Sequence, residues 1–121
     1  KEKVAISLGV TGIVKNSQGE ILIGRRRSNL YSYPNHLELP PSGAVEPGRG
    51  KPEEQLIREL EEETGINNEN ISFIKPMVNY FDHKSNILDI AYLVCLKSSS
   101  PLLKVSDEYS PVPCEMERFE N

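Results

Sequence analysis

Apolar residues gather in four strand-like runs and one helix-like stretch. Residues 4–16, VAISLGVTGIVKN, are rich in β-branched side chains and predict a strand. NSQGE (16–20) is a turn in which Gly19 supplies a positive φ, and ILIGRRR (21–27) is the return strand of a hairpin. Residues 28–36, SNLYSYPNH, are polar and aromatic with Pro34 inside, a loop long enough to reach over a site. LELP (37–40) gives a short strand at most, and PSGAVEPGRGKP (41–52) is a Gly/Pro-rich loop expected to hold a tight turn. NISFIKPMVNYF (70–81) and NILDIAYLVCLK (86–97) predict two strands joined through DHKSN (82–86). The tail, VSDEYSPVPCEMERFEN, carries two prolines; it is expected to be irregular and to end in the start of a helix.

Residues 52–64 carry the helical pattern. Pro52 suits a first helical position, Gly65 suits the C-terminal cap, and Glu53 and Glu54 favour the positive end of the helix dipole. With about 100° of rotation per residue, Leu56, Ile57, Leu60 and Thr64 share one arc, the expected core face. Glu59, Glu62 and Glu63 share another, while Glu61 and Arg58 point elsewhere. Like charges at this spacing repel by a few tenths of a kcal/mol per pair, roughly. A hard divalent cation removes that conflict, because oxygen ligands are what Mg²⁺ or Mn²⁺ takes. A solvated acidic face is the alternative that helix composition alone allows.

Composition adds bounds. A chain of 121 residues suits one domain over 1–121, with truncation at one or both ends left open because no initiator Met is present. The net charge of −4 argues against general nucleic-acid binding or an anionic membrane surface. Cys95 and Cys114 are no disulfide framework, and Cys95, inside ILDIAYLVCL, reads as a buried thiol. No signal peptide or membrane span is seen, so the expected setting is cytoplasmic, with no membrane partner.

Residues 58–66, RELEEETGI, resemble the second half of the Nudix box, G-x5-E-x7-R-E-U-x-E-E-x-G-U with U aliphatic. Arg58, Glu59, Leu60, Glu62, Glu63, Gly65 and Ile66 match each specified position of that half. LPPSGAVEPG upstream is similar to the family's LPGGxxExGE approach, and ILIGRRR to its second strand. The first half departs. Counted strictly, the box Gly falls on Ala44 and the first Glu on Gly50. Alternatively Gly43 is the box Gly, one residue is inserted near Gly50, and Arg49 takes the Glu place. Neither count supplies an acid, which puts site geometry and rate in question more than metal binding.

The resemblance implies an α+β fold, a Nudix-like α/β/α sandwich with a mixed β-sheet and one catalytic helix after the Gly/Pro-rich loop. It implies Glu59 and Glu63 as inner metal ligands, Glu62 as a third or water-mediated one, and Mg²⁺ (or Mn²⁺) as the cofactor. Arg58 would hold the loop against the helix through loop carbonyls or a carboxylate, with Gly43 and Gly65 as structural positions. Glu46 could help fill the gap left by the missing acid. In SDEYS, Glu108 is preferred to Asp107 as a further carboxylate. Strand alternation separates Arg26 from Arg25 and Arg27, and Arg26 is preferred for phosphate contact. Tyr31, Tyr33, Tyr80 and Phe81 are candidates for stacking a base, Tyr80 foremost. His36 and His83 read as surface histidines.

The activity implied is Mg²⁺-dependent hydrolysis of a diphosphate linkage in a nucleoside diphosphate derivative. A helix glutamate, with Glu108 as alternate, would take the proton of the attacking water. The partner implied is a small nucleotide-derived substrate, and a homodimer is admitted. A catalytically weakened, nucleotide-binding or regulatory relative is the alternative that GRG motivates, and an unrelated small interaction domain with an acidic helix is the third reading. The substrate itself is not legible: Pro76 and Tyr80 are the nearest markers after the box, and the loop 28–36 is expected to help select it.

Overall fold

The computed structural model describes residues 5–25, 37–48, 50–101, 103 and 115–117. Their strands are β1 (Ser7–Lys15), β2 (Ile21–Arg25), β3 (Leu37–Glu38), β4 (Ser42–Ala44), β5 (Ile71–Asp82), β6 (Ile87–Leu96) and β7 (Glu115–Glu117). One α-helix, α1 (Pro52–Thr64), lies between β4 and β5, and a 3-10 turn (Asn68–Asn70) follows it. The sheet order is β3-β2-β1-β6-β5, with β4 added to β1 and β7 added to β2. β1 and β6 run parallel over their whole shared length, Ser7 against Ile87 through Lys15 against Cys95. All other pairs are antiparallel, so the sheet is mixed.

β1 is the organising strand. One edge belongs to β6, and the other is divided between β4, opposite Gly9–Thr11, and β2, opposite Lys15. Backbone bonds from Gly12 N–H to Pro41 and from Val45 N–H to Leu8 extend the β4 pairing at both ends. Side chains along a strand alternate between faces. Val10, Val14, Tyr92, Val94 and Leu96 therefore point to one side, where they meet Leu56, Leu60 and Ile66 in the core. Burial raises the Tyr92 hydroxyl pKa above its ordinary 10.0, and the charge of Glu53 adds to the shift.

Most expected elements are present, with four corrections. The Gly/Pro-rich loop contains a strand, β4, because Ser42–Ala44 fills the open half of the β1 edge. The tail, expected to be irregular, holds a strand where Glu115–Glu117 pairs with Ile21–Ile23 of β2, and its last residues, 118–121, where a helix start was expected, lie outside the described residues. Cys95 is only half-buried, because it projects from β6 on the side away from the core residues Val94 and Leu96. Ile57 is half-buried, whereas Gln55 is buried on the helix's inner side. Among the described residues α1 is the sole α-helix, so one helical layer of the expected sandwich is seen there. No helix among them is long and apolar enough to cross a membrane.

Candidate active site

α1 starts where the loop allows it. Lys51 is extended and offers no side-chain cap, and its carbonyl accepts the N–H groups of Glu54 and Gln55. Pro52 has no N–H to leave unsatisfied at this position. The helix stops at Gly65, whose left-handed φ of 84° lets its N–H close on the Glu61 carbonyl. Thr64 reinforces the end: its hydroxyl donates to the Leu60 carbonyl at 2.6 Å and accepts from the Ile66 N–H at 3.2 Å.

Two rows of side chains turn inward from this helix. Leu56, Leu60 and Thr64 enter the core. Beside them, one position earlier in each turn, run Gln55, Glu59 and Glu63. Gln55 is 7% exposed and Glu63 is 6% exposed, and both carboxylate oxygens of Glu63 are buried. Glu59 is half-buried and Glu62 is exposed. The three-glutamate patch expected on one arc is therefore split, with Glu59 and Glu63 directed inward and Glu62 outward.

Glu59 is held on two sides. Gln55 Nε2 donates to its Oε1 at 2.9 Å. Beneath it passes the backbone of Gly43, where an added Cβ would lie 3.0 Å from the Glu59 carboxyl carbon. A Cβ here would have to push the Glu59 side chain back by a few tenths of an ångström, so a glycine suits this approach. Ala44, paired with Gly9, lies on the other face of β4. Of the two counts of the box, the one that begins at Gly43 thus matches the contact.

Arg58 Nη2 donates to Gln55 Oε1 at 2.6 Å, completing a relay from Arg58 through Gln55 to Glu59. Its expected partners were loop carbonyls or a carboxylate; the hydrogen bond described here goes to Gln55. Gln55 was missed in the sequence because no motif marks it. The available signal was its spacing, three residues before an arginine and four before a glutamate.

In the GRG segment, Gly48 and Gly50 adopt positive φ of 76° and 98°. A Cβ at Gly50 would lie 2.8 Å from Glu54 Oε2. The space where a side chain would start at position 50 is thus taken by a carboxylate from the first helical turn. Glu46 is exposed just before this turn, and His83 is exposed in the β5–β6 hairpin, as a surface histidine should be. Tyr80 is 62% exposed on β5, and Phe81 packs edge-to-face with His83, ring centres 4.8 Å apart. The hairpin is tied by Asp82, which accepts from the Lys84 N–H at 2.9 Å. Its carboxyl pKa is lowered, mainly by the Ser85 hydroxyl and then by the Lys84 N–H. Arg26, Arg27, Tyr31, Tyr33, His36, Arg49, Asp107, Glu108 and Cys114 lie outside the described residues.

The NUDIX domain model matches residues 6–119, nearly the whole chain. The chain belongs to the Nudix family. Among similar proteins is the 8-oxo-dGTP diphosphatase of Escherichia coli strain K12, 38% identical over 66 residues, covering 54% of this chain and 49% of that protein. An RNA pyrophosphohydrolase of Yersinia enterocolitica is 33% identical over 72 residues, covering 60% of this chain and 37% of that protein. The chain thus spans half the length, or less, of these Nudix relatives. The crystal structure of DR0079 from Deinococcus radiodurans superposes with a TM-score of 0.71 at 25% identity, over 91% of this chain and 65% of that one. The mixed sheet carrying α1 is therefore a Nudix fold.

Proposed function

We propose that this Nudix domain hydrolyses a diphosphate linkage in a nucleoside diphosphate derivative, with Mg²⁺ (or Mn²⁺) held by Glu59 and Glu63. The observation that carries the reading is the inward row itself. A half-buried carboxylate lies on the Gly43 backbone, oriented by Gln55, with a buried carboxylate one turn later. Acids in the last turn of a helix oppose its dipole, so helix stability does not account for them. The oxygen-only donor set suits a hard divalent cation. Among the described residues no three His, Cys, Asp or Glu side chains gather closely enough to hold a metal ion. The reading therefore assigns Glu62 as a water-mediated ligand and Glu108 as the further carboxylate. It is also in keeping with the names of the two curated relatives, a diphosphatase and a pyrophosphohydrolase.

When bound, the cation would neutralise charge on the diphosphate and activate the attacking water. The chain's own residues set the geometry. Gln55 and Gly43 fix the direction of Glu59, and Arg58 fixes Gln55. A helix glutamate, or Glu108, takes the water's proton, Arg26 contacts phosphate, and Tyr80 stacks the base.

The test is release of phosphate or pyrophosphate with Mg²⁺ from nucleoside triphosphates, nucleotide sugars, ADP-ribose and dinucleoside polyphosphates. Glu59→Gln or Glu63→Gln should lower turnover on the order of a hundredfold, since even outer partners of metal sites are worth ~10–100-fold. Unchanged turnover in both variants would show the ligand assignment to be wrong. A second reading, a nucleotide binder with little or no turnover, is favoured by one feature: neither Gly50 nor Arg49, the two places the box counts give its first Glu, is an acid. Nucleotide binding with no product from any of these substrates would select it.

A further inference from the structure

Asp89 is the one charged residue of the apolar strand β6. It stands partly buried in the middle of the sheet, where a carboxylate is costly unless it is used or held. It is held: the Thr11 hydroxyl on β1 donates to Asp89 Oδ2 at 2.8 Å. Its other oxygen, Oδ1, lies 2.8 Å from the place a Gly9 Cβ would occupy, so any side chain at position 9 would have to push the carboxylate aside. The strand registers set Tyr80, Asp89, Gly9 and Ala44 in one row across β5, β6, β1 and β4. Gly9 and Ala44 add almost no bulk on one side of the carboxylate, and on the other Tyr80 is 62% exposed. Gly43, the neighbour of Ala44 in β4, lies against Glu59 on the opposite face. Ala44, the near end of this row, thus shares β4 with the Gly43 contact to Glu59, while β1 and β4 lie between that contact and Asp89.

We infer that Asp89, aimed by Thr11, reads the base of the substrate, and that the base is guanine. This rests on the proposed hydrolase reading for the identity of the ligand as a nucleotide. The hydroxyl proton of Thr11 is committed to Asp89, so the pair presents acceptors only. Guanine offers two adjacent donors, N1–H and N2–H₂, which match the two oxygens of a carboxylate. Adenine and cytosine place an acceptor beside their amino group, and that acceptor would face the carboxylate unpaired. The exposed ring of Tyr80, directly across from Asp89, supplies a stacking surface that any base can use.

The test is calorimetric binding of GMP and AMP to the full chain, where the shared phosphate cancels in the ratio. GMP should bind about tenfold tighter than AMP or better, the worth of one bidentate pair. Asp89→Asn, nearly isosteric, should abolish that ratio by weakening GMP alone, with the thermal midpoint confirming the fold. Thr11→Val should lose part of the ratio. Tyr80→Leu should weaken GMP and AMP alike by about tenfold and keep the ratio, because stacking is indifferent to the base. Equal affinity of the wild type for GMP and AMP, or an Asp89→Asn variant that weakens both equally, overturns the inference. A guanine preference in a protein that hydrolyses no nucleotide supports the base site and removes the hydrolase reading; hydrolysis with no base preference does the reverse.

Discussion

The two inward rows of α1 run side by side, both buried except for half-buried Glu59, yet they are chemically opposite. Leu56, Leu60 and Thr64 are at most 1% exposed, and Gln55 and Glu63 at most 7%. The apolar row gains from burial, about 1.5–3 kcal/mol for each leucine fully removed from water. The polar row gains nothing comparable, and a carboxylate such as Glu63 gives up hydration. One row anchors the helix so that the other can be held against the sheet edge at Gly43. On the proposed reading, stability and chemistry fall to adjacent stripes one residue apart, and substitutions should separate them.

The largest effect is expected in the apolar row. Leu60→Ala should lower unfolding stability by about 2–5 kcal/mol, measured by urea denaturation. At low temperature, where the variant is still folded, turnover per folded molecule should stay close to that of the wild type. A loss of turnover matching Glu63→Gln in a folded Leu60→Ala protein would mean that the two rows are not separable.

Next comes the polar row. Gln55 touches no expected substrate group; it orients Glu59 and is itself fixed by Arg58. Gln55→Leu keeps the volume and removes both hydrogen bonds. It should lower kcat about tenfold or more, as loss of such supporting contacts does, while changing KM less than about twofold. Stability should fall by less than in Leu60→Ala, since the volume is kept while Arg58 and Glu59 each lose one hydrogen-bond partner. A fall in stability with kcat unchanged would make Gln55 a packing residue only.

The helix was legible because its signals are local: Pro52 and Gly65 bound it, and the seven positions of the box half lie within nine residues. The long strands were legible from β-branched content. β4 was not, because Ser42–Ala44 has no strand propensity; it is a strand only because β1 leaves an edge open there. Helical geometry placed Leu56 and Leu60 correctly but put Ile57 rather than Gln55 at the inner border of the arc. Which way the sheet edge lies is a tertiary fact. The same fact turned Glu63 inward and Glu62 outward, although both satisfy the box. Asp89 and Thr11 are 78 positions apart and meet only through the parallel pairing of β1 with β6.

The smallest effect probes what burial costs on the apolar side, at Tyr92. Tyr92 is 4% exposed, and burial first, the Glu53 charge second, raise its hydroxyl pKa above 10.0. A group whose folded pKa is raised holds its proton in the native state while the unfolded chain has already released it. Its contribution is therefore complete below the unfolded value and falls as pH climbs through the folded one. One such proton can steepen the loss by at most about 1.4 kcal/mol per pH unit. In Tyr92→Phe, the alkaline decline of stability above about pH 10, the ordinary phenol value, should flatten, while the neutral-pH midpoint moves little. Parallel wild-type and variant curves up to pH 11 would show that the apolar row's neighbour is more accessible to water than its burial implies, and would narrow the contrast between the two rows.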